Sequence, residues 1–164
     1  MSRLRVALIL LLLLLAGPTW AQTVPITQVS ERAHVTLNGG AMVLTTGSDW
    51  SGASLGAGVG YNLHQKLTVF YGYDHGFPIN DVDEDLDFNR VVGSVWIHPN
   101  AFAGFGYGWF GDHVQGGLVQ LVVQQSVAPR LKLAGLYAHV FADETLNDFE
   151  YVRVYLNYHL LGKE

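Results

Sequence analysis

Residues 53–63 read ASLGAGVGYNL. Ala53, Leu55, Ala57, Val59, Tyr61 and Leu63 fall on one side of a two-residue period, with Ser54, Gly56, Gly58, Gly60 and Asn62 on the other. A helix would scatter both sets around its axis, whereas a strand sends successive side chains to opposite faces. The same period runs through residues 101–110, where Ala101, Ala103, Phe105, Tyr107 and Trp109 share a face and Gly104, Gly106 and Gly108 lie opposite. It returns near the end, where Val152, Val154, Leu156, Tyr158 and Leu160 alternate with Tyr151, Arg153, Tyr155, Asn157 and His159. These stretches are strands.

Extending outward from them, the alternation marks eight runs at about 34–46, 51–63, 66–75, 86–98, 101–111, 115–126, 130–142 and 149–161. Connections at residues 64–65, 98–100 and 128–129 are short, and those at 46–50, 75–85, 111–114 and 142–148 are longer or more polar. Successive hairpins of this kind form an up-and-down meander. An even strand number, with short turns at one end and longer loops at the other, predicts an all-β, eight-stranded antiparallel up-and-down transmembrane β-barrel. Charge placement agrees. Asp49, Asp74, Asp112, Asp143, Glu144 and Asp148 lie in or beside the long-loop end with the 81–87 run, while Arg32, Lys66, Arg130, Lys132 and Lys163 lie at the other. Strand centres are nearly uncharged, as a lipid-facing band about 25 Å tall requires. Tyr61, Trp96, Tyr158, Tyr73, Trp109 and Phe149 sit toward strand ends, where interfacial aromatic girdles belong.

Composition narrows the alternatives. The 164 residues are 49% hydrophobic and 14% charged, contain no cysteine, and carry a formal net charge of −5. One domain suits that length. The absence of cysteine excludes a disulfide framework or thiolate metal site, and the acidic balance excludes a generic nucleic-acid binder. Residues 1–21 read as a cleaved export signal: Arg3 and Arg5 precede an apolar run from Val6 to Ala16, and Thr19-Trp20-Ala21 supplies the cleavage site. Residues 22–164 are then the barrel. Without Arg3 and Arg5, seven basic residues face 14 acidic ones, a balance near −7.

A soluble barrel keeps apolar side chains inside. Here the glycine-rich face suits a narrow interior in which glycines offset bulky Phe70 and Tyr155, so the apolar face points to lipid. In the seventh run Leu131, Leu133, Tyr137 and Phe141 oppose Lys132, Ala134, Leu136 and Val140, and the pattern does not orient it. With this architecture the chain resembles the small eight-stranded outer-membrane barrels of the OmpA and OmpX type. The resemblance implies residence in the cell outer membrane, contact with its lipid, a monomer, and loops that meet an unidentified extracellular partner.

Three features carry candidate chemistry. Asp74, Arg90 and Arg153 all point inward, about eight residues above the short-turn end, and form a predicted lumen charge cluster. A desolvated arginine needs a carboxylate, and a bidentate pair satisfies both. That cluster reads as a gate or as interior filler, and an eight-stranded interior leaves no water channel. The acidic loop, Asp81, Asp83, Glu84, Asp85 and Asp87, lacks the glycine and terminal glutamate of a calcium loop and reads as a solvated surface. The seven histidines form no close pair at metal-ligand spacing. Membrane-embedded lipid deacylases of similar size place serine two residues after histidine, but Phe141 follows His139 and Leu161 follows His159 in this way. No catalytic residue, metal or cofactor is assigned. The expected role is structural, adhesive or surface-protective. A conduit for small hydrophobic molecules, as resemblance to the OmpW type implies, comes second, followed by a lipid-modifying enzyme and then a soluble ligand-binding barrel.

Overall fold

A computed structural model describes residues 32–45, 50–79, 85–111, 114–142 and 148–161. The export-signal residues and Asp81, Asp83 and Glu84 of the acidic loop lie outside the described residues. The strands are β1 (Ala33–Leu44), β2 (Ser51–His64), β3 (Leu67–Pro78), β4 (Leu86–His98), β5 (Ala101–Phe110), β6 (Val114–Ala128), β7 (Leu131–Ala142) and β8 (Phe149–Leu161). Each pairs antiparallel with its sequence neighbours, and β1 pairs with β8 through partners such as Leu37 and Tyr158, closing the barrel. Closure leaves no free edge among the described strands for another chain to extend.

The strand positions agree with the sequence reading to within a few residues. Two differ usefully. β3 continues to Pro78, three residues past expectation, because Phe77 and Pro78 still find partners in Ala53 and Gly52. The short turns are two residues long, at 65–66, 99–100 and 129–130, and a register shift precedes each turn. Arg130 closes the last of them at φ 63°, a left-handed backbone that non-glycine residues rarely adopt.

The two faces separate as the alternation requires. Leu55, Val59 and Tyr61 of β2 are exposed, while Ser54, Gly58 and Gly60 are buried. In β7, Ala134, Leu136, Ala138 and Val140 point inward and Phe141 outward, which settles the one strand the sequence could not orient. Glycine makes the narrow interior possible. A Cβ on Gly58 would stand 2.1 Å from Phe70 Cζ, so the ring occupies space that β2 leaves empty. Trp50, expected in a connection, turns inward instead and is buried beside Gly52 and Gly76. With Met42, Phe88, Phe110, Leu118, Val140 and Tyr151 it fills the loop end of the barrel.

Two of the expected girdle aromatics are corrected. Trp96 lies on the inward parity of β4 and packs on Phe102 at 4.9 Å, and Phe149 packs on Phe110 at 5.0 Å against the core. Alternation placed both near strand ends; only parity assigns a face, and theirs is the inner one. Tyr61, Tyr73, Trp109 and Tyr158 do lie exposed on the outer face.

Candidate functional site

Asp74 on β3, Arg90 on β4 and Arg153 on β8 meet in the barrel interior. One carboxylate serves both guanidinium groups: Arg90 Nη1 donates to Asp74 Oδ2 at 2.6 Å and Arg153 Nη1 to Asp74 Oδ1 at 2.7 Å. All three side chains are almost wholly buried. Charged hydrogen bonds of this length are the strong ones, and in a water-poor interior the ions depend on them. Gly56 makes room for the carboxylate, since a Cβ there would stand 1.9 Å from Asp74 Oδ1.

Sequence reasoning named these three residues and missed their supports. Arg153 Nε donates to Ser54 Oγ at 2.9 Å, and Arg153 Nη2 donates to Asn38 Oδ1. Ser54 in turn donates to the Gly40 carbonyl at 3.4 Å, and the Arg153 guanidinium lies 4.6 Å from the centre of the Tyr155 ring. The available signal was parity: Asn38 and Ser54 are polar residues at inward positions of β1 and β2. Arg153 is therefore bonded at Nε, Nη1 and Nη2. Arg90 has one carboxylate bond, and its Nε finds no partner.

Comparison with solved structures gives the fold its class. A crystal structure of Neisserial surface protein A (NspA) superposes with a TM-score of 0.57 at 12% identity, covering 79% of this chain and 96% of that one. A de novo designed transmembrane β-barrel gives 0.55 at 17% identity, covering 77% and 95%. The fold is that of small transmembrane β-barrels. No family model and no curated protein matches the chain.

A second constellation, on the outer wall of this transmembrane barrel, was also missed. Tyr73, His75 and Phe77 of β3 recur as Tyr137, His139 and Phe141 of β7. Asp85, Asp87, Phe88, Arg90 and Val91 recur as Asp148, Glu150, Tyr151, Arg153 and Val154. The strand register repeats too, pairing His75 with Asp87 and His139 with Glu150. In the first copy Tyr73 donates to Asp87 at 2.7 Å, and His75 lies 2.8 Å from Asp87 and 3.5 Å from Asp85. In the second, Tyr137 donates to Glu150 at 2.8 Å, and His139 lies 3.3 Å from Glu150 and 3.6 Å from Asp148. Each imidazole meets its phenylalanine edge to face, at 4.6 and 4.5 Å. Asp85 and Asp87 thus brace the β3–β4 rim rather than standing free in a loop. The signal was an internal repeat of 63 to 64 residues, visible once the two hairpins are aligned. Among the described residues no group of three or more His, Asp or Glu is arranged to hold a metal ion.

Proposed function

We propose that this chain is an integral outer-membrane barrel with a filled interior and a structural, adhesive or surface-protective role, in which the long loops are the interaction surface. The observation that carries this reading is the division between its faces. Among described outward positions of the eight strands, the only carboxylates are Asp87 and Glu150, both at the loop end and both capped by tyrosine and histidine. Below them Val59, Val69, Val91, Val95, Phe105, Val119 and Leu156 form an exposed apolar belt. In water such a belt is an aggregation hazard; against acyl chains it is the required surface. The apolar run from Val6 to Ala16 and the cleavage site at Ala21 support export to that membrane.

Inside, Trp50, Phe88, Phe110, Leu118 and Tyr151 occupy the loop end and the Asp74 cluster crosses the barrel below them. That filling favours a plug over a conduit. The test is membrane fractionation followed by electrophoresis with and without boiling. A folded barrel keeps every backbone group paired and resists SDS at room temperature, so it migrates differently from the boiled chain. Recovery in the soluble fraction with a single heat-insensitive band overturns the reading.

A further inference from the structure

The described charges are sorted along the barrel axis. Asp85, Asp87, Asp148 and Glu150 stand at the loop end and Asp74 in the interior, so among the described residues no carboxylate lies at the short-turn end. That end carries Arg32, Lys66, Arg130 and Lys132. By sequence Glu31 and Glu164 adjoin it too, and the basic residues assigned there, with Lys163, still outnumber them. A surface of one sign attracts partners of the other.

One group of these cations meets the lipid-facing wall. The Asn62 backbone N–H donates to the Arg32 carbonyl at 2.7 Å, which sets Arg32 beside the β2–β3 turn. Arg32, Asn62, Leu63, His64 and Gln65 line an open recess of about 330 Å³, and Lys66 is the next residue of the turn. Arg32, His64 and Lys66 are all exposed. So are Val59, Tyr61 and Leu63 of β2 and Leu67 and Val69 of β3, which form an apolar strip leading up to the recess. Tyrosine exposed on the outer wall belongs at headgroup level. Tyr61 therefore puts the neighbouring cations at the depth of lipid phosphates, with acyl-facing side chains directly beside them. Arg130 and Lys132 belong to the β6–β7 turn, on the far side of the closed barrel.

We propose that the recess beside the β2–β3 turn binds the phosphate of an anionic phospholipid in the leaflet at the short-turn end. Arg32 and Lys66 supply charge and His64 a ring N–H, while Leu63, Leu67 and Val59 lie along the acyl chains. Short turns of such barrels face the periplasm, so the lipid belongs to the inner leaflet of the outer membrane. Free phosphate carries the same charge, but the apolar strip continuous with the recess favours the lipid. This deepens the outer-membrane reading and rests on it.

The test uses the full barrel chain folded in phosphatidylcholine nanodiscs, with phosphatidylglycerol replacing a rising share of the lipid. Backbone amide resonances of Arg32 and of residues 62–66 are expected to shift and saturate, ahead of those in the other turns. Arg32→Gln with Lys66→Gln is expected to weaken that response by about fivefold for each charge removed. Arg130→Asn, on the far turn, is expected to leave the shifts at 32 and 62–66 in place. Added salt should weaken the response, since the recess is open to solvent. Inorganic phosphate added to pure phosphatidylcholine discs is expected to move none of these resonances. Shifts that are absent, spread evenly over all the short turns, or unchanged in the double variant overturn the proposal. Equal shifts with inorganic phosphate alone overturn the lipid assignment. The boiled and unboiled bands of the same samples report the barrel separately, so loss of lipid binding is distinguishable from loss of the fold.

Discussion

The β3–β4 and β7–β8 hairpins carry the same outer rim cluster and different interiors. Outside, the tyrosine, the histidine, the phenylalanine and both carboxylates recur with the same cross-strand pairing. Inside, both hairpins keep an arginine, but Asp74 of one is Ala138 of the other. The rim cluster of the first copy is satisfied within its own hairpin, whereas in the second Glu150 also accepts from Thr45, which follows β1, at 3.4 Å. The interior cluster is shared across the barrel, where the one carboxylate of Asp74 serves both arginines. Each tyrosine–histidine–carboxylate set thus lies within one hairpin, while the interior carboxylate joins side chains from three strands.

The largest test of that division is Asp74→Ala. It leaves two buried guanidinium groups without their carboxylate, and breaking a buried pair typically costs about 3–5 kcal/mol. Equilibrium urea unfolding in lipid vesicles measures it. Ala138→Ser, at the equivalent site of the other hairpin, is expected to cost far less. Equal losses at 74 and 138 would mean that the two interiors do not differ as described.

Next comes the outer wall, where the hairpins should respond alike. Val91 and Val154 occupy equivalent positions of the repeat, the first exposed and the second half-exposed. Arginine at either is expected to cost about 2–4 kcal/mol if it lies near the bilayer midplane. The same unfolding titration reads both variants, and tolerance of both would invert the assignment of faces.

Gly56→Ala sharpens the contrast at smaller scale. Its methyl group would crowd Asp74 Oδ1 at 1.9 Å and the Tyr73 carbonyl at 2.4 Å. Overpacking of this kind typically costs about 1–3 kcal/mol. Gln120→Ala, at the equivalent position of the second half, removes bulk instead and should leave the charge cluster untouched. A crystal structure of Gly56→Ala with Asp74 undisplaced would contradict this account.

The smallest effects belong to Tyr73→Phe and Tyr137→Phe. Each removes one hydrogen bond to a rim carboxylate, at Asp87 and Glu150 respectively. Both should lower the thermal midpoint slightly and by similar amounts. A marked effect at only one would mean that the outer clusters are alike in geometry but not in contribution.

The sequence by itself determined the strand number, nearly all strand limits and the face of most side chains. Strand alternation is local: with period two, a residue's parity fixes its face as soon as one neighbour is placed. Parity also brought Asp74, Arg90 and Arg153 to the same interior. It did not orient β7, whose two faces are both apolar near its centre, and it left Trp96 and Phe149 among the outer aromatics. What only the tertiary structure decided was which interior side chains meet. Arg153 reaches Asp74 from a strand 79 residues away and Asn38 from one 115 residues away. Those partners depend on closure of β8 against β1 and on how far each long side chain extends across the interior. Neither is encoded in any local period. The inward turn of Trp50 has the same origin, since it required the space left by Gly52 and Gly76 on two strands that are adjacent only after folding.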